Sequence, residues 1–503
     1  MRKSFVLLLA LVVLVSGTGC FAQSQLVKEK DQVHYTENVL YGDKSVVDGV
    51  TIEANISYNY YLYWNTRYQI GDTPKEETEY TFYPMGYIDA TGPSPGSLSF
   101  VTSGLATLKD TYGDEDVEYY GLEKAMKELY DNTAPGTENS VTVYLKDYLE
   151  YYSFGMDFRF PDRGGYYDMY IDFSEAHLRE DLADWEANGT HKEEAKRVRK
   201  YLEALDVFQE FFKIPVLDTE VYTLGMVKDE AGKIIGIAES GNNGGSSTGS
   251  IDFPDMPAIE GLDSFGFMVH SIFDDGNVYF TFDPHTDNGN LVDVSHIPGG
   301  YGIYNFTYNE KDEIDLTSLK MVYPLDAEMI FENLTLDASG KNLLLFQSDG
   351  KQYYLSIINR ETMTLVDRFI LGSSEVYLDS WSYEDFLVVR AENIMVFELG
   401  KDGRYTQELA VDLQSLEATI GTVSENDNLF NWDSSFDWNG NTLIMANNVE
   451  YLDANLRTTQ TCNFCVAAID ETGIVYYGEY DSTLRTTDIN YNWCRLDFIQ
   501  LSY

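Results

Sequence analysis

Leu334-Thr335-Leu336-Asp337-Ala338-Ser339-Gly340-Lys341 runs into Asn342-Leu343-Leu344-Leu345-Phe346, turns at Ser348-Asp349-Gly350-Lys351, and resumes over residues 353–358. Short apolar runs alternate here with polar turns rich in Asp, Ser and Gly. Asp-Gly between apolar runs is a strong hairpin signal, because glycine accepts the positive φ of a tight hairpin turn. The stretch predicts strand, polar turn, strand, polar turn, strand.

The same grammar recurs on both sides. Residues 265–273 are largely apolar, Asp274-Asp275-Gly276-Asn277 turns, and residues 278–282 resume. Residues 376–381 lead through Tyr383-Glu384-Asp385 to 386–389, then through Ala391-Glu392-Asn393 to 394–399. A fourth copy turns at residues 436–441 and continues through 442–446, 465–469 and 474–477. The turn positions Asp275, Ser339, Glu384 and Asn439 are 64, 45 and 55 residues apart. Spacing near fifty suits the blades of a propeller, where each small sheet is covered by its neighbours. Upstream, residues 49–56, 59–68 and 77–83 alternate like strands, and 225–237 read as a hairpin turning at Asp229-Glu230-Ala231-Gly232-Lys233.

This strand-turn grammar, over roughly residues 260–503, resembles exported bacterial β-propellers of the WD-repeat-like kind. No repeat carries a paired Gly-His and Trp-Asp signature, so the resemblance implies a fold class and no specific activity. The expected fold is mainly β: a propeller of about seven blades spanning residues 38–503, interrupted by a helical insertion at about 174–213. Within the insertion, Ser174 precedes a first helix, and Thr190-His191-Lys192-Glu193 reads as a capping box for a second. Val198, Leu202, Leu205, Phe208 and Phe212 form a core-facing stripe at helical spacing. A shorter helix is expected over residues 122–130. The Gly- and Ser-rich residues 241–250 read as a flexible loop.

The chain has 503 residues with 34 Lys+Arg against 83 Asp+Glu, a formal charge of −49. That surface repels a phosphate backbone and argues against nucleic-acid partners. The chain is too apolar and aromatic, at 44% and 14%, for a disordered polyanion.

Arg2 and Lys3 precede an apolar run over residues 5–15 and the small residues Ser16-Gly17-Thr18-Gly19 before Cys20. This is a secretion signal over residues 1–19, too short to span a bilayer. Gly17-Thr18-Gly19-Cys20 resembles a bacterial lipobox, which implies lipidation of Cys20, a tether over residues 20–37, and membrane attachment through that lipid alone. The alternative is cleavage after Ala22 and release as a secreted protein.

Cys462, Cys465 and Cys494 remain. Cys462-Asn463-Phe464-Cys465 sits in a strand-like run with no helix following, unlike a thioredoxin-type motif. An exported location permits disulfides among these three, and their pairing stays open. No cofactor is expected, except that Asp283, Asp287, Asn288 and Asn290 supply hard oxygen donors in one turn-rich loop that a structural calcium could use. Residues 424–428 are a weaker second place for it. His270, His285 and His296 are the only local histidine cluster. The aromatic runs Tyr58-Asn59-Tyr60-Tyr61-Leu62-Tyr63-Trp64 and Tyr148-Leu149-Glu150-Tyr151-Tyr152 could stack on sugars or anchor a partner. No phosphate loop, G-x-S-x-G elbow or H-E-x-x-H helix is present. The expected function is non-catalytic: binding of an envelope protein, peptide or glycan by propeller loops. The alternative is an extracytoplasmic glycan-active enzyme with a carboxylate pair at the propeller mouth.

Overall fold

The computed structural model describes residues 33–58, 62–82, 96–102, 121–161, 175–241, 244–249, 263–309, 313–423, 430, 434–452, 458–484 and 494–502. The signal, Cys20, Ser174 and residues 424–428 lie outside them. The chain divides into two compact units, residues 1–89 with 371–503 and residues 90–370. The first unit is discontinuous in sequence because its first two strands pair with strands from its C-terminal part.

The elements follow in chain order. First come β1 (Tyr35–Gly42), β2 (Thr51–Tyr58), β3 (Leu62–Gln69) and β4 (Lys75–Phe82). Next are β5 (Ser97–Thr102), α1 (Leu122–Asn132), β6 (Glu138–Tyr144) and β7 (Phe154–Arg159). The helical pair α2 (Glu175–Asn188) and α3 (Lys192–Phe212) precedes β8 (Val221–Lys228), β9 (Ile234–Gly241) and β10 (Gly244–Gly249). Two four-strand runs follow: β11 (Val269–Asp274), β12 (Asn277–Phe282), β13 (Gly302–Tyr308), β14 (Ile314–Pro324), and then β15 (Ile330–Leu336), β16 (Asn342–Ser348), β17 (Gln352–Asn359), β18 (Thr364–Ser373). The last run holds β19 (Asp379–Ser382), β20 (Phe386–Arg390), β21 (Asn393–Leu399), β22 (Tyr405–Asp412), α4 (Leu413–Ile420), β23 (Ser435–Trp438), β24 (Leu443–Leu452), β25 (Thr458–Asp470), β26 (Gly473–Ser482) and β27 (Cys494–Ser502).

The protein is mainly β. Three sheets are simple four-stranded meanders, β11 to β14, β15 to β18 and β19 to β22. The turns explain their register. Asp275 (φ 43°) and Gly276 (φ 75°) form a two-residue loop closed by the Asp274–Asn277 pair, the left-handed geometry that matches strand twist. Asp337 Oδ1 accepts from the backbone N–H of Lys341 and Asn342, and Asp349 Oδ1 from those of Lys351 and Gln352. These short acceptors bend the chain where the sequence predicts turns. The central strand β16 is buried throughout, as a strand covered on both faces requires.

In the first unit the chain ends meet. β1 pairs antiparallel with β26, and β2 with β27, giving the orders β1-β26-β25-β24-β23 and β27-β2-β3-β4. Val33, within the span expected as a tether, is 1% exposed and donates its N–H to Thr78 Oγ1. Alternation along β25 serves two cores. Cys462, Phe464, Val466 and Ala468 face one, and Cys465, Ala467 and Ile469 face the other.

In the second unit one face of α3 is part of the interior, while α2 is mostly exposed apart from Leu178 among its described side chains. Val198, Leu202, Leu205, Phe208 and Phe212 are all buried, as their spacing predicts. The Phe208 and Phe212 rings pack on Phe100 and Phe280, and that of Phe212 also on Phe267. The capping box does not form. His191 takes a left-handed conformation and α3 begins at Lys192 without a side-chain cap, while the Thr190 N–H closes α2 on the Trp185 carbonyl. Within the Gly- and Ser-rich segment, expected as a flexible loop, residues 244–249 form β10 on β9, since backbone pairing at a sheet edge needs no side chain.

Candidate functional site

The second aromatic run predicted from sequence lines a groove of about 960 Å³ in the second unit. One side is the segment from Tyr148 to Ser153. The opposite side is the outer face of α3, with Asp206, Val207, Gln209, Glu210 and Phe211, ending at Lys213. Chain geometry sets this arrangement. The Tyr152 N–H donates to the Ile214 carbonyl (2.8 Å) and the Val216 N–H to the Glu150 carbonyl (3.1 Å). The segment leaving α3 is thereby laced to the aromatic run. Lys213, left-handed at φ 39°, ends the helix and turns the chain back.

The lining carries organised charge. Arg179 donates from Nε and Nη2 to Glu175 Oε1 (2.9 and 2.7 Å) and also reaches Asp206. Glu175 Oε2 accepts from Gln209 Nε2 (3.3 Å). Lys213 Nζ lies 2.7 Å from Glu210. The Tyr151 hydroxyl is hydrogen-bonded to Glu150, and that carboxylate raises its pKa. The Tyr148 hydroxyl donates to Glu128 (2.9 Å), and burial together with Glu128 pushes it up to about 12.

Tyr152 leads inward to a group that sequence reasoning missed. Glu220 is 2% exposed and accepts from the hydroxyls of Tyr152 and Tyr222, the latter at 2.7 Å. The Tyr152 hydroxyl in turn accepts from the Leu217 N–H (3.3 Å). Burial raises the Glu220 pKa against these hydrogen bonds, and the charge of Asp263 adds to the rise. In sequence, Asp218-Thr219-Glu220 looks like an ordinary polar turn, and no local pattern marks its last residue as buried.

The loop at residues 283–290 closes on protein donors. The His285 ring Nδ1 is 2.7 Å from Asp283 Oδ1, and Ser264 Oγ donates to Asp287 Oδ2 (2.6 Å). Asp263 accepts from the Asn288 N–H (3.3 Å) and from Asn290 Nδ2 (2.5 Å); desolvation raises its pKa, but the Thr286 side chain together with Asn290 and Asn288 lowers it overall. Asp263, outside the predicted set, is therefore the anchor of this loop. Among the described residues no three His, Cys, Asp or Glu side chains are grouped to hold a metal ion. The three histidines separate: His270 packs its ring on Phe331, His285 on Asp283, and His296 near Asp293 and the Tyr151 ring.

Cys462 and Cys465 are buried and lie on opposite faces of β25. Burial pushes the Cys465 thiol up to about 12, the reverse of the depressed pKa that redox chemistry uses. The side chain of Cys494 lies outside the description. Of the first aromatic run, residues 59–61 lie outside the described residues, and Trp64 is core at 2% exposure. Another carboxyl stands out: Glu332 on β15 is half-buried, and burial with the neighbouring charge of Asp283 raises its pKa.

No protein-family model matches the chain. No curated protein matches it either. Among solved structures, a 6-phosphogluconolactonase-like protein from Bacteroides fragilis is similar at 8% identity and a TM-score of 0.27, covering 92% of this chain and 99% of that one. A Lactobacillus plantarum protein is similar at 12% identity and 0.25, covering 58% and 84%. The Swd1 β-propeller domain from Myceliophteria thermophila is similar at 11% identity and 0.23, covering 53% and 80%. Likenesses at these TM-scores assign neither a family nor an activity.

Proposed function

We propose that this chain is an exported lipoprotein, lipidated at Cys20, whose sheets are the blades of a β-propeller and whose groove beside α3 captures a peptide or glycan ligand outside the cytoplasm. The basic start, apolar run and Gly17-Thr18-Gly19-Cys20 support the address. Successive four-stranded meanders, with strands from the two chain ends sharing sheets, support the propeller. The observation that carries the binding role is the groove, where tyrosine rings, carboxylates and cations converge on one concave surface.

The address is tested by fractionating cells that express wild type or Cys20→Ser. Wild type should follow the membrane, and the variant should not carry acyl label. A wild type without acyl label returns the chain to ordinary secretion after Ala22. The binding role is tested by crosslinking and affinity capture in native cells with wild type and Tyr151→Ala. Tyr151 is partly exposed, so the variant should keep its unfolding temperature and lose its captured ligand. Equal capture by both removes the groove from the function.

A second reading has its own support in Glu332 and Asp283. A carboxyl whose pKa is raised by burial and by the charge of a second carboxylate is an arrangement suited to proton transfer in glycoside hydrolysis. Wild type should then release reducing ends from an envelope polysaccharide, and Glu332→Gln should lower that rate by about a hundredfold or more. Absence of turnover by wild type removes this reading.

A further inference from the structure

We infer that the groove beside α3 recognises a basic peptide segment, one that presents lysine or arginine side chains to Tyr151, Glu150, Asp206 and Glu210. This rests on the reading of the groove as a ligand site and names the chemistry of its occupant.

The acidic groups reach the groove from independent elements. Asp206 and Glu210 are four residues apart on the exposed face of α3, Glu150 is exposed on the opposite segment, and Glu175 enters from α2. Two cations already rest among them. The Lys213 ammonium lies 2.7 Å from Glu210, with Glu150 and Tyr151 close enough to raise its pKa further. The Arg179 guanidinium is shared between Glu175 and Asp206. These resident side chains display what the groove accommodates: an ammonium between carboxylates beside a tyrosine, and a guanidinium bridging two acids.

Charge then selects among occupants. The four lining carboxylates meet one cation of the lining, Lys213, and one from outside it, Arg179, so the lining stays negative after this pairing. A neutral sugar would stack on tyrosine without using that field. A cation uses both the field and the negative face of the ring. The volume, about 960 Å³, is at the upper end for small-ligand pockets and suits several side chains of a peptide better than one small amine. The formal charge of −49 steers basic segments toward the molecule from a distance.

The test titrates the full chain with fluorescent hexa-arginine and hexa-lysine at physiological ionic strength, with hexa-glutamate and neutral oligosaccharides as comparators. The groove variant Glu150→Gln/Glu210→Gln is compared with Glu408→Gln/Glu471→Gln, which removes the same charge from exposed sites elsewhere. Basic peptides should bind, the groove variant should weaken them about tenfold, and the control less than about twofold. Thermal unfolding of both variants should match wild type. Equal weakening by the two variants would reduce the binding to diffuse attraction by a polyanion and overturn the inference. So would failure of the basic peptides to bind. If a neutral oligosaccharide binds instead and Tyr151→Ala abolishes it, the groove reading stands and the basic ligand falls. If Tyr151→Ala alters the binding of no probe, both fall.

Discussion

Glu220 shows what a single residue can do under a site. Its carboxyl is buried, holds Tyr152 and Tyr222 by their hydroxyls, and has a raised pKa. A carboxyl whose folded pKa exceeds its unfolded value holds its proton more tightly when folded. Its contribution to stability is full below the ordinary glutamate pKa and is lost as pH rises through the raised value. Urea unfolding at about pH 4 and about pH 8 should show wild type losing stability relative to Glu220→Gln as pH rises. A difference independent of pH would mean Glu220 titrates normally. Packing gives a plainer test. Phe212 is fully buried among Phe100, Phe208, Phe267 and Phe280. Phe212→Ala should lower stability by about 3–5 kcal/mol, read from the midpoint of chemical unfolding. The sequence marked Phe212 through helical spacing, whereas Glu220 had no marker, because burial of a polar residue depends on partners distant in the chain.

At the scale of elements, the hairpins were legible because their turns are local chemistry. Asp275-Gly276 and Asp349-Gly350 dictate their own geometry through backbone conformation and short acceptors. The helical stripe of α3 was legible for the same reason, being a period within one segment. The start of α3 was not, since Thr190 is drawn to the end of α2 rather than to the cap. Helix α4 carried a readable signal that went unused: Asp412 precedes it and accepts from the Ser415 N–H at 3.0 Å. Gly42 tests how tightly β1 docks. It has φ 77°, and an added Cβ would run into the Val475 carbonyl oxygen. Gly42→Ala should destabilise the first unit by more than about 1 kcal/mol, measured by urea unfolding. An unchanged midpoint would mean that the end of β1 shifts without cost.

At the scale of the whole molecule, the joining of the chain ends sets the architecture. Glu37 from β1 accepts from the buried hydroxyls of Tyr476 (3.2 Å) and Tyr480 (3.3 Å) on β26, across more than four hundred residues of sequence. Deleting residues 33–42 strips this cover and leaves β26 as an open edge. The deletion variant should unfold at lower temperature in calorimetry and aggregate on heating. Retention of the wild-type transition would show that β1 is dispensable. By itself, the sequence determined the β class, the turn positions, the buried stripe of α3 and the aromatic run that lines the groove, because each follows from residues close together in the chain. Tertiary structure alone decided that β1 and β2 pair with β26 and β27, that the chain forms two units, that Cys462 and Cys465 serve different cores, and that Glu150, Asp206 and Glu210 share one groove. Those outcomes depend on which distant surfaces bury one another, and periodicity and turn chemistry carry no record of that choice.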